Sequence, residues 1–244
     1  MAPITLDEMK TIRLMNRTDQ KYLTTVPTLL KLLELTRPSY YTQEVDGLRV
    51  SPYSTLYFDK PGRHSMFQQH QTGHVPRQKV RVRTYESSCI SFLEVKNKDN
   101  HGKTRKLRIP VPSVEAVTTQ KFGEDFIREH TGLDFDDISP TVGNHFKRIT
   151  LVNQAKTERL TIDFDISFFN YQTGEESEIS QIVVIELKRD GRIPSPILPL
   201  LRQLRIKPAS FSKYCIGATF TGHDLQVNRF KKRLIKIKKV AEKA

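Results

Sequence analysis

Alternating hydrophobic and polar residues run through most of this chain and predict β-strands. Because a strand has a period of two residues, the alternation gives each strand one apolar face and one polar face. The predicted strands cover residues 17–23, 55–59, 78–86, 91–98, 103–110, 145–153, 159–166 and 178–188. About eight antiparallel strands with a few flanking helices predict a closed β-barrel of the mainly β, α+β class.

Apolar residues at helical spacing predict three helices. The second is bounded by Pro112 and Gly132, which commonly flank a helix. The third is basic, and we expect Leu234, Ile235 and Ile237 to pack it against the barrel, although such a helix could also bind nucleic acid or a membrane surface. The predicted ranges are 26–36, 113–130 and 227–243. We expect residues 1–244 to form a single domain, with 225–244 as its basic C-terminal helix.

The strand at residues 77–85 carries charge on one face and β-branched residues on the other. The charged face consists of Arg77, Lys79, Arg81 and Arg83, and the opposite face contains Val80 and Val82. Charge-rich faces recur on at least five predicted strands. If these faces point outward they are a solvated surface; if they point inward they line a water-filled tunnel that attracts a polyanion. The pattern alone leaves the direction open.

The charge balance favours a polyanionic partner. Lys and Arg number 40 against 27 Asp and Glu, a formal net charge of +13. Nucleic acid, an anionic membrane and polyphosphate all satisfy this charge. The N-terminus lacks the apolar region of a signal peptide, and the apolar stretches are too short to cross a bilayer. With Cys89 and Cys215 far apart, we expect free thiols in a cytoplasmic protein.

Acidic residues within the basic faces suggest a metal site. Glu94 and Glu186 lie among lysines and arginines, where a carboxylate can hold Mg²⁺ or Mn²⁺ against phosphate oxygens. Asp163 and Asp165 alternate with apolar residues and are either further metal ligands or ion-pair partners of arginines. A histidine metal site is not expected, because Gly73 interrupts the helical spacing around it.

Short motifs along the chain then point to a family. They are Arg17-x-Asp-x-Lys21-Tyr22, Tyr57-Phe58-Asp59, Arg77-x-Lys79-x-Arg81-x-Arg83-x-Tyr85, Phe92-Leu-Glu94-Val-Lys96, Gly102-Lys103-Thr-Arg-Lys106-Leu-Arg108, Phe146-Lys-Arg148, Arg159-Leu-Thr-Ile-Asp163-Phe-Asp165, Ile185-Glu186-Leu-Lys188 and Phe211-Ser212-Lys213-Tyr214. In this order they resemble the polyphosphate polymerase domain of the vacuolar transporter chaperone (VTC) family, in the form of a bacterial member. That family lies within the triphosphate tunnel metalloenzymes, a CYTH-like superfamily. Phe146 and Ser210 depart from its pattern, which has a tyrosine and a lysine there.

The resemblance implies a role for each matching residue. Catalytic phosphate contacts are implied for Lys21, Arg81, Arg83, Lys96, Arg148 and Arg159. Substrate binding is implied for Lys106, Ser212 and Lys213, and Lys79 and Lys188 join them because they share the same faces. Glu186 is the implied metal carboxylate, and Glu94 is added on the same ground.

The resemblance also implies an activity. The chain is expected to transfer the γ-phosphoryl group of ATP to a growing inorganic polyphosphate chain inside a basic tunnel, with Mn²⁺ or Mg²⁺ as cofactor. ATP and inorganic polyphosphate or pyrophosphate are the expected partners, together with a separate membrane protein. The alternatives are a metal-dependent triphosphatase, a non-catalytic polyphosphate-binding or sensing module, and a nucleic-acid-binding barrel. Nucleic acid is the less expected ligand, because the aromatic residues mostly alternate away from the basic faces.

Overall fold

A computed structural model describes residues 1–10, 12, 17–223 and 225–243. The strands are β1 Ala2–Ile4, β2 Arg17–Thr25, β3 Tyr40–Gln43, β4 Ser51–Asp59, β5 Arg77–Tyr85, β6 Ile90–Lys98, β7 Thr104–Val111, β8 Ser139–Asn153, β9 Glu158–Asn170, β10 Glu176–Glu178 and β11 Ile182–Asp190. The α-helices are α1 Leu6–Lys10, α2 Val26–Thr36, α3 Met66–Thr72, α4 Val114–Gln120, α5 Glu124–Thr131, α6 Ile197–Gln203, α7 Lys213–Thr221 and α8 Lys231–Ala241. Short 3₁₀ turns lie at Gly62–His64, Glu86–Ser88, Phe135–Asp137 and Asn228–Phe230.

All the strands join one sheet, in which the order β2-β11-β9-β8-β4-β5-β6-β7 is antiparallel throughout. In the described part of the chain, β2 and β7 end this order without pairing to each other. The closed barrel predicted from the sequence is therefore wrong, and the sheet is open. The composition of β7 explains this, because Pro110 lacks the N–H that a further strand would need and Arg105 and Arg108 are charges typical of an edge.

The open sheet nevertheless curls. Strands β2 and β6 are six positions apart, which in a flat sheet corresponds to about 29 Å at a spacing of about 4.8 Å per strand. Lys96 of β6 nevertheless lies close enough to Lys21 of β2 and Glu186 of β11 for their charges to act on it. Only a curved sheet brings these side chains together. We call the face that carries Lys79, Arg81 and Arg83 the inner face.

Helices cover the opposite, outer face. Val80, Val82, Leu93 and Val95 are fully buried there in a cluster that includes residues of α4 and α5. A second outer cluster packs α2 and α6 against β2, β9 and β11. The apolar side of the 77–85 strand thus meets helices, so its cations point into the curve of the sheet. This settles the direction that the sequence pattern left open.

The inner face also has an apolar part, and α7 packs on it. Tyr214, Cys215, Ile216 and Ala218 of α7 belong to a buried cluster with inner-face residues of β4, β8 and β9. Close approach requires the glycine in this helix, because a Cβ at Gly217 would lie 2.5 Å from a ring carbon of Phe168. One part of the inner face is therefore filled by a helix, and the charged part is left beside it.

Two of the predicted helices need correction. Residues 113–130 form α4 and α5, because Lys121 (φ 53°) and Gly123 (φ 92°) adopt left-handed conformations that interrupt a helix. The C-terminal helix begins only at Lys231, and residue 244 lies outside the described residues. Leu234 and Ile237 pack against the inner cluster as predicted, whereas Ile235 is 54% exposed.

Two further predictions concern the cysteines and the membrane. Cys89 and Cys215 are both free thiols, as expected. None of the helices in the described ranges combines the length and the hydrophobicity that crossing a bilayer demands.

Candidate active site

Cations from three adjacent strands form one wall of the inner face. In the antiparallel register, Lys79 of β5 lies opposite Lys96 of β6, which in turn lies opposite Lys106 of β7. Residues directly opposite each other on one face of a sheet have Cβ atoms about 5 Å apart. Three lysines at this spacing repel one another unless anions lie between them. The wall is therefore built to receive negative charge.

A buried carboxylate holds the next row of this wall together. Glu94 lies opposite Arg81 and Arg108 in the register and is only 1% exposed. Arg81 donates to Glu94 Oε2 from Nε at 2.6 Å, and Lys106 pairs with the other carboxylate oxygen. Arg83, one step further along β5, donates from Nε to Thr55 Oγ1 at 3.3 Å. Glu94 thus fixes two cations whose heads lie in the curve of the sheet.

The opposite wall comes from β2, β11 and β9. Glu186 lies between Lys21 and Thr161 in the register, and Lys188 lies opposite Arg159. Lys188 Nζ is 3.0 Å from Glu186 Oε1. The side chain of Glu186 keeps 25% of its surface exposed, so one of the two inner-face glutamates faces the open space.

The N-terminus of α7 enters the cationic space between the walls. Ser212 caps the helix, because its side chain accepts from Cys215 N. Lys79 Nζ donates to Ser212 Oγ at 3.0 Å, and Lys21 Nζ donates to the Phe211 carbonyl oxygen at 2.8 Å. Lys21 and Lys79 lie on opposite walls of the inner face. Their ammonium groups therefore bind two consecutive residues, Phe211 and Ser212, at the start of α7. The sequence did not predict this helix, because Phe211-Ser212-Lys213-Tyr214 stands out only as a motif.

Asp163 ties the same helix to β8. Arg148 donates to its two carboxylate oxygens at 2.6 and 2.9 Å, and Lys213 pairs with it as well. The Lys213 ammonium also lies 3.9 Å from the centre of the Phe146 ring, so this phenylalanine forms an apolar floor beneath it. Asp163 is therefore an ion-pair partner of two inner-face cations, one of the two roles considered for it.

Asp165 takes a different position from Asp163. Simple alternation would put both on one face, but the pairing register of β8 and β9 shifts between His145 and Lys147, and Asp165 has φ 53°. This bulge turns Asp165 toward solvent, where it pairs with Lys147 at 2.8 Å. Asp165 is consequently remote from the inner face, and of the two roles considered for it the structure shows an ion pair, with a lysine in place of an arginine.

Crowding of cations shifts the pKa values of the site. Burial, together with the charges of Lys79 and Lys21, lowers the pKa of Lys96 to about 8. Burial also lowers the pKa of Lys213 to about 8, although Asp163 opposes the shift. Burial would raise the pKa of Glu186, yet Lys188 and Lys21 hold it at about 2. The ligand-free site thus carries an excess of positive charge that an anion would relieve.

The donor set allows one carboxylate to hold a divalent cation. The described residues contain no group of three or more His, Cys, Asp or Glu side chains placed to bind a metal. Mg²⁺ commonly binds through one or two carboxylates plus substrate phosphates and water. Glu186 fits such a site because it is partly exposed, whereas both oxygens of Glu94 are engaged by Arg81 and Lys106. The role of Glu186 as a metal ligand stays a prediction, and Glu94 is the weaker candidate.

Every residue in the predicted site lies on the inner face or at the N-terminus of α7. They are Lys21, Lys79, Arg81, Arg83, Glu94, Lys96, Lys106, Arg148, Arg159, Glu186, Lys188, Ser212 and Lys213. Tyr57 also lies there, opposite Arg81, and the sequence analysis gave it no role. Its signal was the alternation of Tyr53, Thr55 and Tyr57 along β4, which puts all three on one face.

The affinity of the inner face for anions is expected to depend on pH. Lys96 and Lys213 are protonated below pH about 8 and lose their charges as the pH rises through that value. Binding of tripolyphosphate at constant ionic strength should weaken about tenfold or more between pH 7 and pH 9.5, measured by isothermal titration calorimetry. Lys96→Met should flatten the dependence, and an affinity that stays constant over this range would contradict the assignment.

Comparisons with known proteins show the family and the fold of this chain. A model of the VTC domain matches residues 16–221. The chain belongs to the VTC domain family. No curated protein sequence matches it. A putative adenylyl cyclase from Hippeastrum, described as having a dominant triphosphatase activity, has a TM-score of 0.54 at 15% identity, over 87% of this chain and 99% of that one. A putative adenylate cyclase from Bacillus halodurans has a TM-score of 0.50 at 13% identity, over 89% and 100%. At such identities the similarity to this VTC domain concerns the fold alone.

Proposed function

We propose that this VTC domain transfers the γ-phosphoryl group of a nucleoside triphosphate to the end of an inorganic polyphosphate chain. The observation that carries the proposal is the convergence of lysines and arginines from β2, β5, β6, β8 and β11 on one curved face, with Glu186 as the partly exposed carboxylate among them. Such a site is suited to phosphoryl transfer, which depends on alignment of the reacting oxygens and neutralisation of their charge.

Each residue of the proposed site would have a role that follows from its position. Arg81, Arg83 and Arg148 present guanidinium groups, which match the geometry of phosphate oxygens. Lysines on both walls neutralise neighbouring phosphates along the chain. Glu186 would hold a Mn²⁺ or Mg²⁺ ion, which on binding would neutralise phosphate oxygens as a Lewis acid. The acceptor phosphate is itself an anion, so the transfer to polyphosphate requires no general base from the protein.

A triphosphatase is the second candidate. With water in place of the acceptor phosphate, the same cationic walls would stabilise hydrolysis of the γ-phosphoryl group. The structural similarity to the Hippeastrum protein described as a triphosphatase favours this candidate. The two reactions differ in their acceptor, which is polyphosphate in one and water in the other. The labelled products therefore show which reaction takes place.

The test is incubation of the purified protein with γ-labelled ATP and Mn²⁺, with products separated on a gel. A ladder of labelled chains is the expected result, because each transfer lengthens the acceptor by one phosphate. Labelled orthophosphate alone would assign the triphosphatase. No turnover, with tight binding of added polyphosphate, would overturn the enzymatic proposal in favour of a binding module.

Glu186→Gln provides the residue-specific prediction. The substitution keeps the size of the side chain and removes its charge, so turnover should fall at least 100-fold if the carboxylate holds the metal. Glu176→Gln, at an exposed position on β10, is the matched control and should keep full turnover. Equal turnover in the two variants would exclude a role for Glu186.

A further inference from the structure

A tyrosine hydroxyl lies at the centre of the cationic face. Tyr57 of β4 is opposite Arg81 in the register and is 5% exposed, and the Arg81 charge acts on it. The charges of Arg81, Arg83, Lys79 and Lys213 all act on its hydroxyl group. These cations come from β5 and from the N-terminus of α7, so the hydroxyl lies where both elements converge.

The ring of Tyr57 packs against α7, which fixes its position. Tyr214 of α7 packs on it with ring centroids 5.0 Å apart, and the Tyr214 hydroxyl donates to Asp59. Asp59 also accepts from the backbone N–H groups of Met66 and Phe67, at the start of α3. Two residues after Tyr57 in the same strand, this carboxylate anchors α3 and α7 together. The position of the Tyr57 hydroxyl is therefore set by the fold before any ligand binds.

We propose that the Tyr57 hydroxyl donates a hydrogen bond to a phosphate oxygen of the bound oligophosphate. The inference rests on the proposed function and adds a second neutral hydroxyl, beside that of Ser212, to a site made mostly of cations. In the ligand-free protein, the surrounding cations make the phenol more acidic, with a pKa of about 8, so that it is still mainly protonated at pH 7. A bound phosphate neutralises those cations, so the phenol keeps its proton and can donate it in a hydrogen bond.

The protonation state gives this role a readout that a purely structural tyrosine lacks. Burial would raise the pKa of Tyr57, but Arg81 and Arg83 lower it to about 8. Tyr22, Tyr40, Tyr53 and Tyr214 are shifted the opposite way, chiefly by burial. Tyrosinate absorbance near 295 nm should therefore show a transition near pH 8 in the free protein.

The experiment compares the wild type with Tyr57→Phe, which removes the hydroxyl and keeps the ring. The absorbance transition near pH 8 should be missing in Tyr57→Phe, and saturating tripolyphosphate should move it upward by at least one pH unit in the wild type. Tripolyphosphate affinity at pH 7 should fall about tenfold in the variant, as expected for one lost hydrogen bond to a charged group. Unchanged tripolyphosphate affinity in Tyr57→Phe would overturn the proposal.

Two controls separate the possible failures. Tyr22→Phe changes a tyrosine on the outer face, whose hydroxyl donates to Gln20, and should leave the affinity within twofold. Arg83→Ala removes an inner-face cation and should weaken binding strongly. Loss of affinity in Arg83→Ala but not in Tyr57→Phe would overturn the role of Tyr57 alone. A wild type that binds no tripolyphosphate would refute the proposed function itself.

Discussion

Asp163→Asn is expected to lower the free energy of unfolding by about 3 kcal/mol, because removing one partner of a buried ion pair leaves a charge without compensation. The Asp163 side chain is 6% exposed and binds both Arg148 and Lys213, so two buried cations lose their anion. Chemical denaturation at pH 7 measures the loss. Tripolyphosphate should restore more stability to this variant than to the wild type, since it supplies negative charge to the same cations.

Asp165→Asn is the matched control for this change. The two aspartates are on one strand, but Asp165 and its partner Lys147 are about half exposed, so the pair is worth less than about 1 kcal/mol. Asparagine tolerates the positive φ of this position, and the comparison therefore isolates the charge. Equal losses in the two variants would contradict the inward placement of Asp163.

Glu94→Gln should separate the two inner-face glutamates. Glu94 is buried between Arg81 and Lys106, so we expect a loss of about 3 kcal/mol of unfolding free energy. Glu186 is partly exposed, and Glu186→Gln should cost about 1 kcal/mol. Binding of Mn²⁺ in the presence of tripolyphosphate, measured by calorimetry, should survive in Glu94→Gln and weaken at least tenfold in Glu186→Gln. The reverse pattern would make Glu94 the metal ligand.

Acid unfolding provides a second measurement on Glu94. Burial would raise its pKa, but Arg81 and Arg83 hold it at about 2. A carboxylate with a lowered pKa stabilises the folded state above its ordinary pKa, and this contribution is lost as the pH falls from about 4.5 toward 2. The difference in stability between the wild type and Glu94→Gln should therefore shrink over that range. A constant difference down to pH 2 would contradict the ion pairs.

The sequence predicted eight of the described strands, missed the short strands β1, β3 and β10, and predicted the closure of the sheet wrongly. The alternation of the charged residues Lys79 and Arg81 with the apolar residues Val80 and Val82 identifies β5. Whether β7 pairs with β2 depends on how strongly the sheet curls, and no local pattern encodes that. The split of residues 113–130 into two helices was not predicted either. Lys121 adopts a left-handed conformation there, and a lysine gives no sequence signal for that conformation.

The sequence predicted which residues form the site. It did not predict which way they point or which of them contact one another. Shared strand faces indicated that Arg81, Arg83 and Lys96 act together, and only the outer helices show that this face points inward. The bulge at Asp165 turns this side chain away from the inner face, and no glycine in the sequence indicates a bulge at this position. Lys21 and Lys79 bind the segment before α7, a contact over more than 130 residues that sequence spacing does not reveal.

Competition binding is the direct test of the proposal that the inner face binds linear oligophosphates. A labelled polyphosphate bound to the protein is displaced with tripolyphosphate or with a single-stranded oligonucleotide, at about 0.15 M salt, where long-range charge effects are screened beyond about 8 Å. We expect tripolyphosphate to compete at a concentration at least tenfold below that of the oligonucleotide, and Arg83→Ala to weaken this competition. Preference for the oligonucleotide, or identical competition in Arg83→Ala, would contradict the proposal.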